Sequence, residues 1–188
     1  MLSWYNIVNI EPKDFVCWSC DKKVASDKGY YVHGRLETIY ICPNCSVPVY
    51  YDKNGVQVHY APFGDRVGNL PDNVGDAYQE ARLAHSVSSY TASAMMCRKI
   101  LMNVAVEKGA EKNKNFVYYV GWLFDQHYVP PNAKDWVDHI RKKGNEATHE
   151  IPSISKEDSE GLLMFCEALL KNIYELPGKF TVINGDDE

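Results

Sequence analysis

The stretches Cys17-Trp18-Ser19-Cys20 and Cys42-Pro43-Asn44-Cys45 decide how the first third of this chain folds. Each is a CxxC turn that can present two thiolates to one metal ion, and strand-like residues separate the two turns. Because a hairpin would bring the turns together, the sequence predicts a zinc ribbon. The predicted zinc ligands are Cys17, Cys20, Cys42 and Cys45. Four sulfur ligands leave no open position for water, so we expect the zinc to be structural.

Other interpretations fit these residues less well than a zinc site does. A redox CxxC is disfavoured because two pairs occur and neither lies in a βαβ pattern. His33 and His59 could replace a cysteine ligand, but with four cysteines available we expect neither to bind metal. The last two cysteines, Cys97 and Cys166, fall inside helical patterns and are expected to be small buried residues.

The residues around the CxxC pairs predict a small β domain. Short runs of β-branched and aromatic residues are interrupted by turn signals, including an Asn-Gly pair at Asn54-Gly55. The predicted strands are Tyr30–His33, Thr38–Ile41, Val47–Tyr51 and Val56–His59. Aromatic side chains of the ribbon are interpreted either as a stacking surface or as its small core. These aromatic residues are Trp18, Tyr30, Tyr31 and Tyr40.

Composition limits the classes of function. The chain has 188 residues, 45% hydrophobic content and a net charge of −5, all of it in residues 71–188. Because non-specific nucleic-acid binders usually carry a basic excess, any such contact must rest on a local patch such as Arg141-Lys142-Lys143. The first ten residues lack a signal-peptide pattern, and no apolar run is long enough for a membrane span. We therefore expect a cytoplasmic protein.

After Pro71 the hydrophobic period changes from two to about 3.6, which predicts helices. Five are expected, at about 73–85, 88–108, 116–126, from 133 onward, and from a Ser155 cap to Pro177-Gly178. The predicted fold class is α+β. The predicted boundaries are 1–60 for the ribbon, 61–72 for a linker, 73–178 for the helical bundle and 179–188 for an acidic tail.

Four segments of the helical region carry a resemblance to a known family. They are Pro71-Asp72-Asn73-Val74, Asp76–Ala81, Arg98-Lys99-Ile100-Leu101 and Ile140–His149. Over about residues 71–176 the chain resembles the bacterial domain of unknown function 4145, and the last segment is the most specific. Members of that family often carry a zinc ribbon N-terminal to the domain, and they occur beside restriction and anti-phage systems.

The family in turn is similar to the HEPN superfamily of helical domains, many of which are metal-independent ribonucleases that act as dimers. The superfamily motif reads Leu-Arg-x-x-Arg-Asn-x-x-x-His. Ile140-Arg141, Asn145 and His149 match it, whereas Gly144 stands at the second, catalytic arginine. The resemblance implies a HEPN-like bundle and a homodimer through the Arg141/Asn145/His149 surface.

The chemistry of this motif determines how Gly144 would affect catalysis. Attack by a ribose 2′-hydroxyl needs a proton donor or acceptor, which His149 could supply, and a cation against the phosphate. Only Arg141 or Lys143 remains for the second role. Gly144 could equally be the left-handed cap that ends a helix, which would leave Asn145 and His149 with local hydrogen-bonding roles.

Two classes of function follow. In the first, the protein is a non-enzymatic module whose ribbon binds a nucleic acid or a protein, in a phage-defence or restriction setting. The alternative is a metal-independent endoribonuclease of HEPN type that uses Arg141, Asn145 and His149 as a dimer. Because Gly144 replaces the residue that such an enzyme most needs, the sequence favours the binding module.

Overall fold

The computed structural model describes residues 3–129, 135, 138 and 154–184, with side chains through Thr181. The chain divides into two compact units, Met1–Pro62 and Phe63–Glu188. The first is a β unit and the second is helical, so the α+β fold class is confirmed. Among the residues that the structure describes, no helix is both long enough and apolar enough to cross a lipid bilayer.

The β unit is one antiparallel sheet whose five strands follow each other in sequence order. The strands are β1 Val8–Val16, β2 Lys23–Tyr31, β3 Thr38–Ile41, β4 Pro48–Tyr51 and β5 Gln57–Val58. One CxxC turn joins β1 to β2 and the other joins β3 to β4. The turn predicted at Asn54-Gly55 is confirmed; it joins β4 to β5, with Gly55 at a φ of 72°.

The sequence did not predict β1, and it placed the start of β2 too late. β1 is an edge strand with polar residues on both faces, so it lacks the alternation that marks a half-buried strand. A bulge between Asn9 and Lys13 also interrupts its pairing with β2. In β2, Gly29 is required, because a Cβ there would lie 1.8 Å from the Ile39 carbonyl oxygen of β3.

The core of the β unit is small and aromatic. Phe15, Tyr40, Val49 and Tyr51 are buried together with two of the cysteines. The Tyr40 and Tyr51 rings meet edge to face at 5.6 Å, and the Tyr40 hydroxyl donates to the Glu11 carbonyl oxygen. Tyr40 is therefore part of the core and not of a stacking surface. Tyr31, by contrast, is 55% exposed.

The helical unit buries one continuous apolar cluster between its helices. The helices are α1 Asp72–Ser86, α2 Tyr90–Glu107, α3 Phe116–Asp125, α4 Lys156–Leu170 and α5 Leu176–Asn184. The helical period predicted after Pro71 is seen in α2, where Cys97, Leu101 and Val104 are fully buried. The predicted Ser155 cap of α4 is confirmed too, since its hydroxyl accepts from the Asp158 backbone N–H. Apart from helical Asp135 and Asp138, the fourth predicted helix lies outside the described residues.

The prediction that Pro177-Gly178 ends the last helix was wrong. A π-helical turn, Lys171–Glu175, connects α4 directly to α5, which continues to Asn184. Within that turn the Leu176 N–H bonds the Lys171 carbonyl five residues back, instead of four. The wider turn lets Pro177 begin a new helical segment, where its missing N–H is not needed.

The stretch expected to be a linker packs against the helices from Phe63 onward. Arg82 of α1 is 1% exposed and donates from Nε to the Phe63 carbonyl at 3.0 Å and from Nη2 to the Gly64 carbonyl at 2.5 Å. The Tyr78 hydroxyl donates to the Asp65 carbonyl. These bonds satisfy the backbone of an irregular segment that would otherwise be buried unpaired.

A candidate metal centre in the cysteine turns

The first CxxC turn is closed by two backbone hydrogen bonds. The Cys17 N–H donates to the Lys22 carbonyl at 3.0 Å, and the Asp21 N–H donates to the Cys17 carbonyl at 2.9 Å. Asp21 adopts the left-handed conformation, with a φ of 57°. Aspartate tolerates this conformation better than most residues, so the local sequence suits a tight reversal between β1 and β2.

The second CxxC turn repeats this geometry. The Cys42 N–H donates to the Val47 carbonyl at 3.0 Å, and the Ser46 N–H donates to the Cys42 carbonyl at 2.9 Å. Ser46 has a φ of 61° and matches Asp21 of the first turn. Two equivalent turns therefore face each other, each contributing one buried cysteine and one half-buried cysteine.

The four sulfur atoms converge on one point. Two pairs join the two turns, with Sγ distances of 3.6 Å from Cys17 to Cys45 and 3.8 Å from Cys20 to Cys42. All four sulfurs lie within 4.8 Å of one another, and no disulfide joins them. Sulfurs held about 2.3 Å from a tetrahedral ion are about 3.8 Å apart, so the spacing fits such an ion. In the described part of the chain this is the one group suited to a metal.

Electrostatics also favour a cation at this point. Burial raises the pKa of the Cys17 thiol to about 12 and also raises the pKa of Cys45. Burial opposes ionisation of Cys20 too, but hydrogen bonds from the Lys22 backbone and the Asn44 side chain outweigh it and lower its pKa to about 7. Four adjacent thiolates are stable together only beside positive charge, which a bound metal ion supplies.

Trp18 and Lys22 tie the first turn to the region of the second, and Trp4 ties the segment before β1 to the second turn. None of these roles was predicted from the sequence. The Trp18 indole, in the first turn, donates to the Pro48 carbonyl at 3.1 Å. The Trp4 indole donates to the Ser46 carbonyl at 2.7 Å. Lys22 bonds the Asn44 side chain across the gap. Such contacts link residues far apart in sequence, so no local pattern marks them.

The histidines near the ribbon are not part of the cluster, as expected. His59 packs on the Trp18 ring with 5.4 Å between ring centroids, and His33 lies exposed in the turn between β2 and β3. Cys97 and Cys166 are fully buried in the helical unit, where the Cys166 thiol donates to the Cys97 carbonyl at 3.4 Å. Their interpretation as buried residues is confirmed.

Arg141, Asn145 and His149, the predicted catalytic residues, lie outside the described residues, as does Gly144. The geometry of the HEPN-like motif is therefore not part of this structure. The three residues stay a prediction from the sequence.

A family model described as Domain of unknown function (DUF4145) matches residues 79–186. The chain belongs to this family. The DUF4145 match begins inside α1 and extends past the end of α5, so the ribbon lies outside it. The chain has no significant match among curated proteins or solved structures.

Proposed function

We propose that this DUF4145 protein is a non-enzymatic interaction module in the cytoplasm. A zinc ribbon presents its binding surface to a nucleic-acid or protein partner, and a HEPN-like helical domain forms the homodimer, in a phage-defence or restriction setting. The observation that carries the proposal is the convergence of four cysteine sulfurs into a closed cluster. The DUF4145 match supports the link to that setting through the resemblance already described.

Zinc is the ion that fits this cluster best. Four thiolates in tetrahedral spacing favour zinc over the oxygen-seeking ions, and they leave no coordination position for a substrate or water. The ion would thus hold the ribbon in shape and take no part in a reaction. A ribbon of about 60 residues buries little apolar surface, so a structural ion gives it a defined surface for binding.

The ribbon has apolar surface beyond its core. Cross-strand pairing places Tyr30, Ile39, Tyr50 and Val58 in one row across four strands, on the face opposite Tyr40 and Val49. Tyr50 and Val58 are 41% and 39% exposed. Contiguous exposed apolar residues on a small domain support a role in binding.

The test separates a binding module from a ribonuclease. The zinc-containing full chain and its His149→Ala variant are incubated with single-stranded and hairpin RNA without added divalent metal, and the products are resolved on a denaturing gel. We expect intact RNA with both proteins, because Gly144 removes a charge-stabilising group worth roughly 100- to 1,000-fold in rate. Light scattering in the same buffer should report a dimer. Cleavage by the unmodified protein that His149→Ala abolishes would reverse the proposal in favour of the enzyme.

A further inference from the structure

A groove opens on the ribbon beside the bulge of β1. Asn9 pairs with Lys28 and Lys13 pairs with Ser26, so three residues of β1 stand opposite one residue of β2. The Tyr40 hydroxyl holds the bulge through the Glu11 carbonyl. The groove has a volume of about 450 Å³. The residues that matter in its lining are Ile10, Glu11, Lys13, Tyr31, Arg35 and Leu36.

Two cations face this groove. The Lys13 ammonium lies 3.9 Å from the centroid of the Tyr51 ring, and within residues 3–129 and 154–184 no carboxylate forms an ion pair with it. Arg35 is 68% exposed and has a long contact of 3.7 Å with Glu37, which is weak at such exposure. Glu11 is the single acidic lining residue. The groove is thus complementary to an anion.

An aromatic ring stands next to these cations. Tyr31 is 55% exposed and Leu36 is 65% exposed, so both present apolar surface in the lining of the groove. Tyr31 lies on the same face of the sheet as Thr38 and Tyr51, which is the face that carries the core. Tyr31 itself is outside the buried cluster. An exposed tyrosine beside Lys13 and Arg35 suits a ligand that is both planar and anionic.

We propose that this groove binds single-stranded nucleic acid, with a base stacked on Tyr31 and phosphates held by Lys13 and Arg35. The inference rests on the proposed function as an interaction module and names the partner class. An acidic peptide would match the charge but would leave Tyr31 without a planar group to stack on. The groove volume lies in the usual range of ligand sites, about 300–1,000 Å³, and suits a nucleotide-sized group.

Fluorescence anisotropy with the zinc-containing full chain tests the proposal, using labelled oligo(dT) and oligo(rU) of about 12 nucleotides. Tyr31→Ala should weaken binding roughly 5- to 100-fold, because it removes one base-stacking contact, whereas Tyr31→Phe should retain it. Lys13→Ala should reduce the slope of log affinity against log salt by about 0.7, the contribution of one phosphate contact on a single strand. Glu11→Gln should leave affinity unchanged or raise it.

The matched controls are Tyr60→Ala and Lys23→Ala. Tyr60 is also 55% exposed, Lys23 is an exposed lysine of β2, and neither lines the groove. Both controls should bind like the unmodified chain, and every variant should keep its zinc.

Three results would overturn the groove assignment. They are no binding of either oligonucleotide by the zinc-loaded protein, equal losses in the groove and control variants, and competition by polyglutamate as strong as by unlabelled oligonucleotide. The last result would assign the groove to acidic proteins. None of them involves RNA cleavage, so they are distinct from the result that would reject the interaction module itself.

Discussion

In the ribbon, the buried core that the structure describes contains six residues, and two of them belong to the four-cysteine cluster. In the described part of the helical unit, one cluster contains twenty-one buried residues from four helices and their connections. Since apolar burial contributes roughly 25 cal/mol per Å², the second unit can be stable through packing alone. Under the proposed function, a bound metal ion would cross-link the two turns of the ribbon, which is how small domains usually compensate for a small core.

The largest expected effect comes from replacing two of the predicted metal ligands. Cys17→Ser combined with Cys42→Ser should abolish zinc binding and unfold residues 1–62, because structural zinc sites supply about 10–16 kcal/mol of apparent binding free energy. Elemental analysis measures the zinc, and limited proteolysis should digest the ribbon and spare the helical unit. Cys97→Ala is the control and should retain one zinc per chain. Unchanged zinc content in the double variant would refute the ribbon assignment.

Truncating a core side chain of the helical unit should lower the stability of that unit and leave zinc binding unchanged. Leu101 is fully buried in α2, so Leu101→Ala should lower the free energy of unfolding of the helical unit by about 2–5 kcal/mol and leave zinc content unchanged. Urea unfolding followed by circular dichroism measures this. Met95→Ala, on the same helix but 66% exposed, should change stability by less than about 0.5 kcal/mol. Loss of zinc from Leu101→Ala would show that the two units do not have independent sources of stability.

The smallest expected effect is a pH dependence of the stability of the helical unit. Burial lowers the pKa of His85, whose Nδ1 lies 2.9 Å from the Ser159 hydroxyl. Glu160 near Nε2 opposes this shift and Lys156 adds to it, while Phe63 and Tyr90 cover the ring. The unfolded chain therefore takes up a proton first, and stability is lost as the pH falls below 6.5 and through the lower folded pKa.

Urea unfolding at about pH 7.5 and about pH 5.5 tests whether stability falls as the pH falls. Over that interval the unmodified protein should lose more stability than His85→Gln does, because burial lowers the pKa of His85 in the folded state and the unfolded chain takes up the proton preferentially. His127 is an exposed histidine at a φ of 60°, so His127→Asn is the matched control variant. Equal pH dependence in the unmodified protein and His85→Gln would contradict the role of His85.

Much of the fold was predictable because its signals are local. The Ser155 cap, the apolar period of α2 and the paired CxxC turns each occupy a few consecutive residues. Strand β1 was missed, because an edge strand with a bulge has no regular alternation. The end of the last helix was misplaced, because a π-helical turn lets the chain continue through Pro177.

The sequence by itself determined the four-cysteine cluster, the change from strands to helices and membership in DUF4145. Spacing and periodicity carry this information, because they dictate which backbone hydrogen bonds and which side-chain faces are available. Only the tertiary structure decided that Tyr40 is buried while Tyr31 is exposed. The groove beside Lys13 likewise depends on pairing between strands that are distant in sequence. Burial and grooves arise from such long-range packing, which no short stretch of sequence encodes.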